Sequence, residues 1–330
     1  MQRKIIASGL IFFLCFSLYS FSQTKSRIKT IIVDAGHGGN DQGAKGSYST
    51  EAQITLKLAL KVGAILDKEL PSTKIIQTRT TDITQPVTEK AAFANQNKGD
   101  LFVCIHVNAA PPNRHSEVIG HKNVTYYTGK GSKKKKHTKR EPVYKIWYTP
   151  NPREGTATYV WAADRSTIKG EAISERFESG DELEDVPDPN TPEGIIASRL
   201  WAQKYFKNSV KLATMIENEF TSIGRKSDGV LQRNEKGIWV LQATNMPAVL
   251  IETGFITNKS EEDFLNSEDG QEQMSRAIAD AVIAYKNQID AGKSSGGDSL
   301  NNNTSTPASQ SLSEGKRTKT PSNSFATKTK

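Results

Sequence analysis

Cysteine is all but missing from this 330-residue chain, with Cys15 and Cys104 the only two. Cys15 lies inside an apolar run, Ile5 to Phe21, that follows Gln2-Arg3-Lys4 and closes on the small residues Ser20 and Ser22. That pattern predicts a signal peptide over residues 1–22, removed before Gln23. The exported chain then keeps Cys104 alone, which excludes an intramolecular disulfide and leaves stability to a hydrophobic core. Lipidation at Cys15 would need small residues ahead of it, where Phe12-Phe13-Leu14 stands. An uncleaved N-terminal anchor stays open as an alternative. Long apolar runs are absent after residue 22, so the processed chain is not expected to be an integral membrane protein.

Aromatic residues are missing from the strongest charge run. The formal charge is +8, concentrated in Lys130 to Arg140 (KGSKKKKHTKR). Nucleic-acid grooves interleave cations with stacking rings, so no nucleic-acid partner is expected. An anionic polymer or membrane surface outside the cytoplasm is the better electrostatic partner. A solvated, disordered loop is the plainer reading of the same run.

What is present reads as strands alternating with helices. Lys29–Asp34 is a short apolar run ending in glycines, hence a buried strand entering a tight loop. From Glu51 the apolar positions Ile54, Leu58, Val62, Ile65 and Leu66 recur at helical spacing up to Leu70-Pro71. Thr73–Thr78 is a strand, Pro86–Asn97 a helix, Leu101–His106 a strand, and Thr156–Trp161 a strand nearer a sheet edge. Leu200–Phe220 is again helical, Gly237–Leu241 and Pro247–Glu252 return to the sheet, and Gln271–Gln288 is a final helix. The expectation is one α/β domain over residues 23–288, its twisted, mostly parallel sheet flanked by helices on both faces. Two long inserts interrupt it at about 111–155 and 163–199, and a Ser/Thr/Asn/Lys-rich tail over 289–330 is expected to be disordered.

Two strand-to-loop segments each present one histidine: Val33 to Gly46, with His37 among glycines, and Leu101 to Ala110, with His106 at a strand end. Ligands of open α/β sheets gather beyond the carboxyl ends of the strands, so both imidazoles are expected at one edge. With Glu51 they could hold a zinc ion and leave a fourth position for water. Glu51 has a competing explanation, since acidic residues favour the first turn of a helix. Glu252 ends an apolar run, and a carboxylate buried there needs a reason; a general base beside an activated water is one. His115, His121 and His137 fall in polar sequence and are expected to face solvent.

In order along the chain stand D-A-G-H-G-G (Asp34–Gly39), Glu51 at a helix start, T-R-T-T-D (Thr78–Asp82), C-I-H-V-N (Cys104–Asn108) and P-A-V-L-I-E-T-G-F-I-T-N (Pro247–Asn258). The set resembles the catalytic domain of zinc-dependent N-acetylmuramoyl-L-alanine amidases, over about Lys29 to Gln288. The resemblance implies His37, Glu51 and His106 as ligands of one zinc ion and Glu252 as the catalytic glutamate. The implied reaction is hydrolysis of the amide between N-acetylmuramic acid and the L-alanine of the peptidoglycan stem, with Asn108 as an added oxyanion donor or simply a turn cap. A zinc hydrolase of other peptide or acyl amides, and a non-catalytic wall-binding or regulatory protein of the same fold, are the alternatives. The expected location is the periplasm, with the extracellular cell wall as the other choice.

Two positions depart from the family pattern. Ala35 stands where proline is common, which should loosen the loop, and Cys104 stands where serine is common. Cys104 could approach the metal as a thiolate or serve as a small buried residue. The second insert has nine acidic residues from Glu171 to Glu193 against Arg176 alone. Some relatives fold a segment from this region over the zinc until an activator protein displaces it. Here Glu171, Glu175 and Glu178 on a short helix could cap the open position in that way, or the insert could be a mobile acidic loop facing Lys133 to Lys136.

Overall fold

Alternation along apolar strands builds the sheet. The computed structural model describes residues 26–162, 166–178, 187–188, 190–234 and 237–292. The strands of the main sheet are β1 (Thr30–Ala35), β2 (Lys74–Gln77), β3 (Leu101–Asn108), β6 (Thr156–Val160), β7 (Ser227–Gln232) and β8 (Ala248–Phe255). They lie in the order β2-β1-β3-β8-β6-β7. β1 is parallel to β2 and β3, β3 to β8, and β6 to β7; β6 runs antiparallel to β8. The mostly parallel expectation holds, with one reversal at β6.

Successive side chains of a strand point to opposite faces. Ile31, Val33, Val103, Ile105, Val249 and Ile251 accordingly join one core cluster. They pack against α1 (Glu51–Glu69), the C-terminal part of α4 (Pro192–Ser222) and α7 (Glu268–Ala291). Ile32, Phe102, Cys104, Ala248 and Leu250 join the other cluster. Their partners are α2 (Val87–Gln96), α3 (Ser166–Glu178), α5 (Trp239–Ala243) and the N-terminal part of α4. Between β8 and α7 lies the short α6 (Lys259–Asn266).

Several elements differ from expectation. Gly237–Leu241 is not a strand: Trp239–Ala243 forms a helical turn whose Val240 and Leu241 are buried. A short apolar run suits either state, and packing decides. β7 was not foreseen, because Ser227-Asp-Gly-Val-Leu-Gln carries little apolar signal at a sheet edge. α4 starts at Pro192, with Thr191 Oγ1 capping Gly194 N–H at 3.1 Å, so the helix begins well before Leu200. α7 runs on to Ala291, three residues into the expected tail. The signal-peptide segment, the rest of the tail and most of the acidic stretch after α3 lie outside the described residues.

The largest difference is the first insert. It is neither loop nor disorder but an antiparallel ribbon of β4 (Asn113–Thr128) and β5 (Lys135–Thr149), joined through a 3-10 turn at Gly131–Lys133. His115, His121 and His137 all lie on it, and His121 is exposed.

Candidate metal centre

β1 and β3 are parallel neighbours, so the chain leaves both at the same sheet edge, β1 into the His37 loop and β3 through His106. β8 lies on the other side of β3, with Glu252 in register with His106. Sheet register thus delivers an imidazole and a carboxylate side by side, and the loop after β1 brings the second imidazole. The two rings meet edge to face with centroids 4.9 Å apart.

Between them sits the Glu51 carboxylate, 4 % exposed at the first turn of α1. Its Oε1 lies 2.8 Å from His106 Nδ1, and its Oε2 lies 3.2 Å from His37 Nε2. The Ala44 and Val107 N–H groups donate to the same carboxylate at 2.9 and 3.0 Å. One ligand atom from each of His37, Glu51 and His106 falls within 4.8 Å of the others, a spacing that could hold a metal ion. Burial opposes ionisation of Glu51, but the hydrogen bonds from His106 and His37 outweigh it and hold the carboxyl well below the usual range. For His37, burial disfavours the cation and Glu51 outweighs that, so its pKa is pushed up to about 9. The cluster attracts positive charge, and a divalent cation answers that demand with the donor types zinc prefers.

Glycine makes room for this arrangement. A Cβ on Gly36 would stand 2.6 Å from the His106 ring, and one on Gly43 would stand 2.6 Å from Glu51 Oε2. His37 itself adopts φ 57°, a left-handed backbone rare outside glycine, and such strain gathers where function over-determines geometry. Asp41 fixes the ring from behind, with Oδ2 2.9 Å from His37 Nδ1. A carboxylate at that nitrogen orients a metal-binding imidazole and sets its tautomer.

The T-R-T-T-D segment now has a physical role. Arg79 is 2 % exposed and donates to the carbonyls of Ala35, Gly36 and Ala52, tying the His37 loop to the start of α1. Asp82 accepts from Gly39 N–H at 2.7 Å. Lys90 also donates to the Ala35 carbonyl at 2.6 Å, so the loop that Ala35 was expected to loosen is pinned. On the far side, Glu262 of α6 accepts the N–H groups of Ser47, Tyr48 and Ser49, each at 2.9 Å. Those contacts hold the turn leading into Glu51, and a Cβ on Gly46 would collide with Glu262. Neither Asp41 nor Glu262 was foreseen; only the spacing of Asp41 four residues after His37 could have hinted at it.

Glu252 shares with the cluster a cavity of about 350 Å³. Its Oε2 is buried and accepts no hydrogen bond from the described residues. Burial raises its pKa above the ordinary carboxylate value, the nearby Glu51 charge adds to this, and His106 and Arg233 pull the other way. Such an atom carries a desolvation penalty without a protein partner, as expected of a proton acceptor awaiting its donor. Asn108 lines the same cavity, with Oδ1 accepting from Ala109 N–H at 2.8 Å. Arg233, just after β7, also lines it and stands 5.3 Å from the Tyr159 ring centroid. A lone arginine in polar sequence gave no sign of this position.

Two alternatives raised by the sequence concern residues that stand apart from the cluster. Cys104 is fully buried and donates through Sγ to Asp34 at 2.9 Å. Burial pushes its thiol well above its usual pKa, and its sulfur is not among the clustered donor atoms, as suits a small buried residue. Glu171 and Glu175 are exposed on α3 and do not join the metal cluster. That helix is anchored at the opposite sheet edge, where buried Lys169 donates to the carbonyls of Leu241, Thr244 and Met246 and Arg176 to that of Gly99. The side chain of Glu178 lies outside the described residues.

Fold and site together define a class: an α/β protein with a histidine–carboxylate cluster that could hold a cation, and a second carboxylate beside it, beyond the carboxyl edge of a mostly parallel sheet. The chain belongs to the N-acetylmuramoyl-L-alanine amidase family (Amidase_3), whose profile matches residues 31–284. It is 26 % identical over 262 residues to the N-acetylmuramoyl-L-alanine amidase AmiC of Escherichia coli, covering 79 % of this chain and 54 % of that protein. It is 27 % identical over 284 residues to the probable amidase AmiB of Haemophilus influenzae, covering 84 % and 56 %. The chain therefore spans about half the length of these curated relatives. The crystal structure of N-acetylmuramoyl-L-alanine amidase from Clostridium difficile 630 aligns with a TM-score of 0.51 at 23 % identity, over 79 % of this chain and 98 % of that one, and shares its fold.

Proposed function

We propose that the protein is a zinc-dependent peptidoglycan hydrolase that cleaves the amide between N-acetylmuramic acid and the L-alanine of the stem peptide. The observation that carries this reading is the pairing, in one cavity, of the His37–Glu51–His106 donor set with a buried Glu252 oxygen that has no hydrogen-bond donor among the described residues. Family membership supplies the substrate class. When bound, zinc lowers the pKa of a coordinated water toward neutrality and polarises a carbonyl.

The chain's own residues supply the remaining steps. His37, Glu51 and His106 hold the cation, with Asp41 keeping His37 Nε2 turned toward Glu51. Glu252 takes a proton from the attacking water and returns it to the alanine nitrogen as the C–N bond breaks, yielding a lactyl carboxylate and a free amine. Its raised pKa suits a group that must accept and then release one proton. Asn108 and Arg233 line the cavity where negative charge develops or where the stem peptide brings its carboxylates.

No helix of the described residues is long and apolar enough to cross a membrane. The apolar run at residues 5–21, read as a signal peptide, supports an exported enzyme acting in the periplasm or at the wall. Digestion of purified peptidoglycan tests the reaction: mass spectrometry should find stem peptides with a new L-alanine amino terminus. Release of small peptides or acyl groups with the muramoyl bond intact would instead indicate a different zinc hydrolase.

A further inference from the structure

The β4–β5 ribbon has no part in that chemistry, and its composition sets it apart. Residues 113–149 hold ten Lys and Arg against Glu117 and Glu141, an excess of +8 that matches the formal charge of the whole chain. Among the described residues, β4 and β5 pair only with each other. Sixteen residues of β4 at roughly 3.3 Å per residue make an arm about 50 Å long, and a lone two-stranded ribbon has no core of its own.

Its apolar groups remain in solvent. Tyr127, Tyr144, Trp147 and Tyr148 are all exposed. Directly opposed residues share a face, so Tyr144 and Tyr148 stand with Val118 on one side, with Arg140, Lys136 and Tyr127 further along it. On the other side His115 stacks on Trp147 at 5.4 Å and His137 on Tyr126 at 5.2 Å, with Lys139 5.8 Å from the Tyr126 ring. Rings and cations thus alternate along both faces.

The arm is rooted beside the cavity. β4 starts soon after the cavity-lining Asn108 and Ala109. Ala110 N–H donates to Thr257 Oγ1 at 3.0 Å, and Asn151 closes the base by donating to the Pro111 carbonyl at 2.9 Å. A flat lipid surface would be met by an apolar tip, yet the turn from Gly129 to Lys136 has no apolar side chain. Contacts spread along the length suit a linear polymer.

We propose that this ribbon is a docking arm for the anionic wall polymer itself, resting on the reading of the cavity as a peptidoglycan amidase. Stem-peptide carboxylates pair with its lysines and arginines, sugar rings stack on its tyrosines and tryptophan, and the polymer is held while the neighbouring cavity cleaves it. Such contacts weaken with salt.

The test is co-sedimentation of the full chain with purified insoluble peptidoglycan in the presence of chelator, at low and high salt, with anionic lipid vesicles as the competing surface. Replacing the four tip lysines together (Lys133→Gln, Lys134→Gln, Lys135→Gln, Lys136→Gln) should weaken binding at low salt roughly tenfold, as loss of four exposed charge contacts implies. Arginine at the same four positions should restore it. Turnover of a small soluble muramoyl-peptide should be the same in all three proteins. Unchanged sedimentation of the glutamine variant, failure of the unaltered chain to sediment, or preference for vesicles over the wall would overturn the proposal. Because binding is read without hydrolysis, an unaltered chain that binds the wall but leaves the soluble fragment intact would refute the amidase reading and leave the arm standing.

Discussion

The carboxyl edge of the main sheet and the β4–β5 ribbon both extend from strand β3, and they place charge in opposite ways. At the edge, a few charged groups are drawn into the fold: Glu51 engages His37, His106, Ala44 and Val107, while Glu252 buries an oxygen with no hydrogen-bond partner among the described residues. On the ribbon, many charges of one sign lie in water; the ion pair Lys139–Glu141 at 2.7 Å ties two of its charged groups together. Burial makes each edge residue specific, because an unpaired charge there is costly. Exposure makes the ribbon's residues individually dispensable, so only their sum matters. Single substitutions should therefore be severe at the edge and mild on the arm.

The largest effect is expected from removing a ligand. His106→Ala or Glu51→Gln should reduce bound zinc and peptidoglycan hydrolysis to background, read by elemental analysis and product release, while sedimentation with the wall persists. If either loss also abolished wall binding, the separation of edge from arm would fail.

Glu252→Gln should keep the metal and lower kcat by about 10²–10⁴-fold. The pH behaviour follows from the direction of its pKa. Burial raises the folded value above that of the unfolded chain, so the folded state favours the protonated carboxyl. Stability linked to that proton is fully present below the ordinary carboxylate pKa and is lost as pH rises through the raised value. The glutamine variant, permanently neutral, should then be more stable than the unaltered metal-free protein at neutral pH, by about 1 kcal/mol in denaturant unfolding. Equal or lower stability would contradict the account of Glu252 as an unsatisfied charge.

Asp41→Ala should weaken zinc affinity ten- to hundredfold, the usual scale for a carboxylate behind a metal-binding imidazole; competition with a chelating dye measures it. Glu262→Gln is expected to act through the fold, destabilising it by about 1–3 kcal/mol as three backbone donors lose their ionised acceptor. Burial opposes ionisation of Glu262, but the hydrogen bonds from Ser47, Tyr48 and Ser49 outweigh it and lower its pKa to about 2. Its stabilising contribution is present above the ordinary carboxylate range and is lost as pH falls toward about 2. Unfolding curves of the two proteins should accordingly converge in acid.

The same contrast explains what was legible before the structure. His37, His106 and Glu252 could be found because buried parallel strands announce themselves as apolar runs and their ends converge. Glu51 was ambiguous by position alone, and only the fold shows its carboxylate between the two imidazoles. Asp41, Glu262 and Arg233 were not legible, since each is an ordinary polar residue whose meaning lies in a long-range contact. The ribbon was missed for a physical reason: with no core behind it, neither face needs an apolar period, and the lysine run hides what alternation remains. Gly237–Leu241 misled because five apolar-rich residues cannot distinguish a strand from a helical turn.

The most direct test of the central claim is zinc content measured together with mass spectrometry of digested peptidoglycan, with chelator, without it, and after zinc is restored. One zinc per chain is expected, with a new L-alanine amino terminus as product, loss of cleavage on chelation and recovery on re-addition. Cleavage that persists in the metal-free protein would contradict the account.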